Sequence, residues 1–419
     1  MSRVQKDVLV QEMQLPNLAR AISAEQKIIR VQPQTSTSVA SGSTATTRIE
    51  LPAQDYLLPT TSHLQFELAF NQASNNFKRS GVAGIVRNVR VYVGDQLADL
   101  QQNKNLFELF LIDAAASAEA YTNGWDSGLR GDTINGNGPT GVQNYALRIS
   151  TGILSYAGLL PLWAMPRIAI EIDWTPANEC LYSNVAAETP SYTISNLYYV
   201  ADTFVLDPTY TQSIMSRLSA GMPIDFQYTS YRLAGPIGLS SGANPTGSYK
   251  INNQARSAKF LVMGIRDNNN ASFQQDICFD NEANMTSYQL KIGNNILPNQ
   301  PLSYGAQSRV EVKECLNQVG MYNELGNITR SQYLSTTSYT SSTSVTTGSP
   351  TCANKAWMAI NLEKYQSQLV QSGEDFMARD VVLDLNAAST VATAKSLFVF
   401  VVFDAVLSLN SLYNATVSF

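Results

Sequence analysis

A chain of 419 residues that is 44% hydrophobic and only 15% charged can bury a large core, so its composition excludes disorder. Its length suggests about two or three domains. The net charge of −5 is spread along the sequence without a basic block, which argues against a surface that releases counterions from nucleic acid and against direct sequence-specific binding of it.

In chain order, the N-terminal MSRVQKDVLVQEMQLPNLARAISAEQ carries charges throughout and has neither an apolar stretch nor a small-residue cleavage site. It does not read as a secretory signal, and synthesis and retention in the cytosol are expected. Residues 1–40 read as an arm, partly amphipathic through Val4, Val8, Leu9, Leu15, Leu18, Ala19, Ile22, Ile28 and Ile29 and broken at Pro16. Strand-like runs follow: TTRIELP, SHLQFELAF with His63 at its entrance, and IVRNVRVYV, which closes on a Gly-Asp turn. Next, NLFELFLIDAAASAEAY (105–121) places Leu106, Phe107, Phe110, Leu111, Ala114 and Ala118 on one helical face. Asn105 and Glu108 stand three apart at its start, the spacing of a capping pair. After the small-residue stretch 128–144 come YALRIS, then RIAIEIDW with Ile168, Ile170, Ile172 and Trp174 alternating, then SYTISNLYY and ADTFVL as two further strands.

DPTYTQSIMSRLSAG reads as a short connecting helix, and from PIDFQYTSYRLAG onward the pattern restarts. YQLKIGNNI at 288 echoes VRVYVGDQL at 89. SRVEVKECLNQVGMYNEL (308–325) opens with Ser308 and Glu311 in the same three-residue relation, and a Ser/Thr-rich stretch follows at 329–351. DVVLDLNA answers RIAIEIDW, and LFVFVVFDAVLSL answers LYYVADTFVL, with Asp404 and Asp202 at comparable depths. Five features thus recur in one order, about 200 residues apart, so the chain reads as a tandem duplication. The division is expected near 207–235, giving an arm at 1–40, a first unit at 41–222 and a second at 223–419. Each unit has seven or eight strands and one inserted helix, which suits an antiparallel two-sheet sandwich of the jelly-roll kind. A parallel α/β fold would need a helix after nearly every strand.

The pattern of strand, glycine turn, helix, loop and late apolar strands, written twice, resembles the double jelly-roll major capsid proteins of icosahedral double-stranded DNA viruses. YQLKIGNNILPNQPLS (288–303) and SLFVFVVFDAVLSLNSLYNATVSF (396–419) are similar to stretches of the virophage and polinton-like virus branch. The resemblance implies an all-β fold of two tandem eight-stranded antiparallel jelly rolls, each with an inserted helix. It implies a viral structural subunit that forms homotrimers with a pseudo-hexameric outline and tiles an icosahedral shell in the virion. It further implies neighbouring capsomers, penton and minor capsid proteins as partners, with the arm facing inward towards minor proteins or an internal membrane. A spike or lectin-like glycan-binding sandwich is the alternative.

No catalytic, cofactor or metal residue is assigned. His63 is the only histidine and reads as a surface or strand-end residue. Cys180, Cys278, Cys315 and Cys352 lie far apart with no CxxC spacing and read as free thiols of a reducing compartment. Asp202 and Asp404, as equivalents in separate units, are expected to bond locally rather than form one acid–base pair. Arg130-Gly131-Asp132 spells an integrin-type tripeptide on a loop, a match that chance supplies in roughly one chain in twenty at average residue usage. The sequons at Asn270, Asn284, Asn327 and Asn414 read as loop chemistry.

Overall fold

The computed structural model describes residues 24–419 apart from 44, 73–74, 116–140, 150–151, 184, 186–187, 268–272, 274–276, 319–327, 337–353 and 364–372. Its first eight principal strands are β1 (Ala24–Val31), β2 (Thr47–Glu50), β3 (Tyr56–Phe70), β4 (Val86–Val93), β5 (Gln96–Gln101), β6 (Val142–Arg148), β7 (Ile168–Trp174) and β8 (Tyr192–Leu206). The next eight are β9 (Ile224–Leu239), β10 (Gly247–Lys250), β11 (Ala258–Asp267), β12 (Met285–Ile292), β13 (Asn295–Ser303), β14 (Trp357–Asn361), β15 (Val381–Ala387) and β16 (Lys395–Ser411). Three helices matter to the argument: α1 (Lys104–Ala115), α2 (Pro208–Ser219) and α3 (Ala306–Gln318).

The first eight strands form two sheets of order β1-β8-β3-β6 and β2-β7-β4-β5, and the second eight repeat both as β9-β16-β11-β14 and β10-β15-β12-β13. Adding eight to each number converts one order into the other. The register repeats as well. Ile170 lies between Ile49 and Val91 in the first unit, and Leu383 lies between Tyr249 and Leu290 in the second. These are two antiparallel jelly rolls, each with a helix after its fifth strand.

The opening echo has a local cause. Val93 pairs with Gln96 and Ile292 with Asn295, leaving Gly94-Asp95 and Gly293-Asn294 as two-residue turns. Only the glycine of each has positive φ, 62° and 58°, the first-position requirement of a II′ hairpin. In β7, Ile168, Ile170, Ile172 and Trp174 are buried while Glu171 and Asp173 reach outward to Arg48 and Arg90. Period-two patterning here marks a sheet with one face in the core. β16 is buried on both faces. Val399, Val401 and Phe403 join the main core, while Phe398, Phe400 and Val402 form a second core with α1 and α3.

Several expectations are corrected. Ala24–Val31, read as part of the arm, is strand β1 and pairs along its whole length with β8. SYTISNLYY and ADTFVL form the single strand β8, kinked where its pairing shifts near Asn196 at φ 51°. Asn105 is a buried residue inside α1 rather than its cap, because the turn begins at Asn103, whose carbonyl accepts from the N–H groups of Leu106 and Phe107. Ser308 likewise lies in the first turn of α3, its Oγ accepting from Gly305 N–H at 3.0 Å. Glu108 pairs with Lys104, and Glu311 accepts from Asn361 N–H at 3.3 Å, so neither reaches back to cap. The connecting helix α2 forms as read, with Asp207 Oδ1 accepting from Thr209 N–H at 2.7 Å and Pro208 in its first turn.

The equivalence is testable by parallel truncation. Ile170→Ala and Leu383→Ala each empty the central strand of a core sheet at fully buried positions. Each is expected to cost about 2–5 kcal/mol. Urea unfolding monitored by tryptophan fluorescence should show both lowering the midpoint by similar amounts.

Candidate functional site: the junction between the rolls

Two buried polar clusters lie where the two rolls meet. α1 leaves the first roll and lays its aromatic face on the second. Phe107 stacks on Tyr231 of β9 at 3.9 Å between ring centroids, and Phe110 meets Trp357 of β14 edge-on at 5.2 Å. On the same helix, buried Asp113 pairs with Arg79, which precedes β4, and accepts from Trp357 Nε1 at 3.0 Å. Lys355 of the second roll lies 3.6 Å from the same carboxylate. A carboxylate this deeply buried is tolerated only because cations and an indole N–H surround it.

A second cluster sits beside it. Tyr228 of β9 donates its hydroxyl to the Ala98 carbonyl of β5, and Ser230 donates to Asp99 Oδ1. Gln101 Nε2 donates to Asp99 Oδ2 at 2.8 Å, and Gly152 leaves no space beside that carboxyl for a side chain. Burial pushes the Asp99 carboxyl up to about 6, against the lowering effect of the Ser230 and Gln101 hydrogen bonds and the Arg232 charge. At the edge of this contact, Tyr156 meets Phe226 of β9 edge-on at 5.5 Å.

The residues singled out in sequence do not assemble into a catalytic centre. His63 lies mid-strand in β3 rather than at its entrance, between Arg148 and Val200, and its Nδ1 donates to the Thr61 carbonyl at 2.9 Å. Asp404 accepts from Ser257 Oγ at 3.0 Å and lies 3.3 Å from Lys259 Nζ. Asp202 sits in the other roll, opposite Ile28, and its backbone N–H donates to Thr61 Oγ1. The two carboxylates therefore serve separate sheets. Cys180 and Cys315 are buried free thiols, but Cys278 is disulfide-bonded, which corrects the reading of all four as thiols. Sequence spacing carries no information about which cysteines approach in space. Asn284 occupies a turn at φ 50°, and Asn414 starts an exposed terminal strand. Arg130, Gly131, Asp132, Asn270, Asn327 and Cys352 lie outside the described residues. Among the described residues, no group of three or more His, Cys, Asp or Glu is placed to hold a metal ion.

Comparison by structure decides the fold. The chain superposes on the PBCV-1 virus capsid protein with a TM-score of 0.58 at 12% identity, covering 96% of this chain and 98% of that one. The fold is that of the double jelly-roll capsid proteins. Mavirus major capsid protein matches at 0.54 and 10% identity, over 94% of this chain and 90% of its own. The Sputnik virophage structure matches at 0.56 and 12%, over 98% and 92%. No protein-family model and no curated protein matches the sequence. The double jelly roll is therefore shared as architecture, with most side chains replaced.

Sequence reading placed Phe107 and Phe110 on the apolar face of a helix, but it singled out none of the polar residues of the junction. Asp99 and Ser230 are 131 positions apart, and Asp113 and Trp357 are 244 apart. One signal was present: LFVFVVF is apolar at every position, which shows that both faces of that strand are covered without saying by what.

The Asp99 cluster gives the junction a pH dependence of known sign. A carboxyl whose folded value is raised binds its proton more tightly in the fold than in the unfolded chain, so stability falls as pH rises from about 4 through about 6. Asp99→Asn should flatten this slope and raise stability at pH 7.5 by on the order of 2 kcal/mol. Thermal unfolding of both proteins from pH 4.5 to 7.5 checks it.

Proposed function

We propose that this chain is a viral major capsid protein, a structural subunit whose two rolls act as two adjacent sides of one tile. The observation that carries the reading is the double jelly roll itself, repeated strand for strand within one chain and matched over nearly its full length by capsid proteins. Two similar rolls in each of three chains present six similar sides, which lets one gene product fill hexagonal positions in an icosahedral shell. The division of the chain at about residue 222, just after α2, follows from this reading. The role is structural rather than catalytic, the partners are further copies of the chain with penton and minor capsid proteins, and the site of action is the virion.

The spike or lectin alternative would call for a ligand site on one roll. The structural neighbours are capsid proteins, and they favour the tile.

Size-exclusion chromatography with light scattering should give three times the chain mass of 45.8 kDa. Deleting residues 2–22 should leave that trimer intact while impairing shell assembly in cells that express the remaining capsid genes. A monomeric wild-type protein would contradict the reading.

A further inference from the structure

Three charged side chains meet inside the second roll. Lys395, at the start of β16, is 0% exposed, and beside it Asp280 is 1% and Glu282 9% exposed. Lys395 Nζ donates to Asp280 Oδ2 at 2.7 Å and lies 2.8 Å from Glu282 Oε2. Strand pairing brings them together. Arg266 of β11 faces Ser396 on one edge and bridges to Phe279 on the other, so the amine and the carboxylates meet across the end of that strand.

Both carboxylates are fixed in place. Asp280 Oδ1 accepts from Glu282 N–H at 3.3 Å, and Glu282 Oε1 accepts from Ala392 N–H at 2.9 Å. Glu282 Oε2, the oxygen nearest the amine, makes no aligned hydrogen bond of its own. Ile277, Phe279, Ala283 and Val391, all buried, flank the three groups along the chain. Two carboxylates against one ammonium leave a net negative charge in this setting. Burial pushes the Asp280 carboxyl up against the pull of Lys395, towards the protonated acid. Burial also presses the Lys395 ammonium down, but the two carboxylates outweigh it and hold it up. The amine is therefore freed by handing its proton to a carboxylate in contact with it.

We propose that Lys395 and Asp280 condense to an isopeptide bond, with Glu282 carrying the protons. Glu282 takes one proton from Nζ and passes it to Asp280, leaving a free amine beside a carboxylic acid. The Nζ electron pair then forms a C–N bond to Asp280 Cγ, the atom bonded to the oxygen it already touches. A second Nζ proton travels through Glu282 to the Cγ hydroxyl, the C–O bond breaks and water leaves. Ammonium and carboxylate become amide and water, Glu282 ends as it began, and nothing is oxidised or reduced. Fixed contact supplies the proximity that such a condensation lacks in solution. The product is neutral, which removes two buried charges from a dry site. It also closes a covalent loop over the 115 positions between the two residues, spanning β12 to β15, and so restrains the unfolded chain. The bond is a property of the second roll and is independent of what the chain assembles into.

Mass spectrometry of the purified full-length chain tests this. The reduced wild type should be lighter than its sequence by one water. Its tryptic digest should contain a branched peptide joining 267–291 to 380–419, because trypsin does not cut at a lysine whose amine is acylated. Glu282→Gln keeps the acceptor for Ala392 N–H but cannot carry a proton, so it should show the full sequence mass and release 267–291 unlinked. Lys395→Met should do the same, which ties the lost water to that amine. A wild type of full mass that is cut after Lys395 would overturn the inference and leave the three groups as a buried ion cluster. A branched peptide undiminished in Glu282→Gln would also overturn it.

Discussion

The outer face of β16 cannot be left in water. Phe398, Phe400 and Val402 project from the side of the sheet away from the roll's interior, and burying side chains of this size is worth about 1.5–3 kcal/mol each. The second roll's own helix covers part of that face, and α1 of the first roll covers the rest with Leu106, Phe107, Leu109 and Phe110. The second roll is thus incomplete without the first. Placing the buried Asp113 carboxylate on that same helix then adds direction to the contact, because Arg79, Lys355 and the Trp357 indole approach it from both rolls. Hydrophobic burial joins the rolls, and the ion cluster fixes how they join.

From this asymmetry comes the difference between the two halves. Their strand order and register are the same, yet the equivalent strands β1 and β9 have different fates: one is open to solvent, the other is covered by its own chain.

Much of the framework was legible in sequence because its determinants are local. The VGDQ and IGNN turns demand glycine at positive φ, the alternation in RIAIEIDW and DVVLDLNA assigns a buried face, and Asp207-Pro208 announces a helix start. What sequence reading missed depends on partners far along the chain. Ala24–Val31 reads in sequence as the end of a partly amphipathic arm, yet it becomes a strand by pairing with β8, from Val31 with Tyr199 to Ala24 with Leu206, far along the chain. Pro298 and Pro301 stand within β13 because that strand is at a sheet edge, where a missing N–H is tolerated. Asn105 and Ser308 stand at cap-like spacing, whereas the actual first turns are set by Asn103 and Gly305 with positive φ, two residues earlier in the first helix and three in the second.

The proposed capsid role requires the two rolls of one chain to stand as neighbouring sides of a six-sided capsomer. Negative-stain images of the purified full-length protein, averaged by class, test it most directly. A pseudo-hexameric trimer should give a view with a hexagonal outline and six lobes of similar size around a threefold axis. A plainly triangular outline, or an elongated particle without that view, would contradict it.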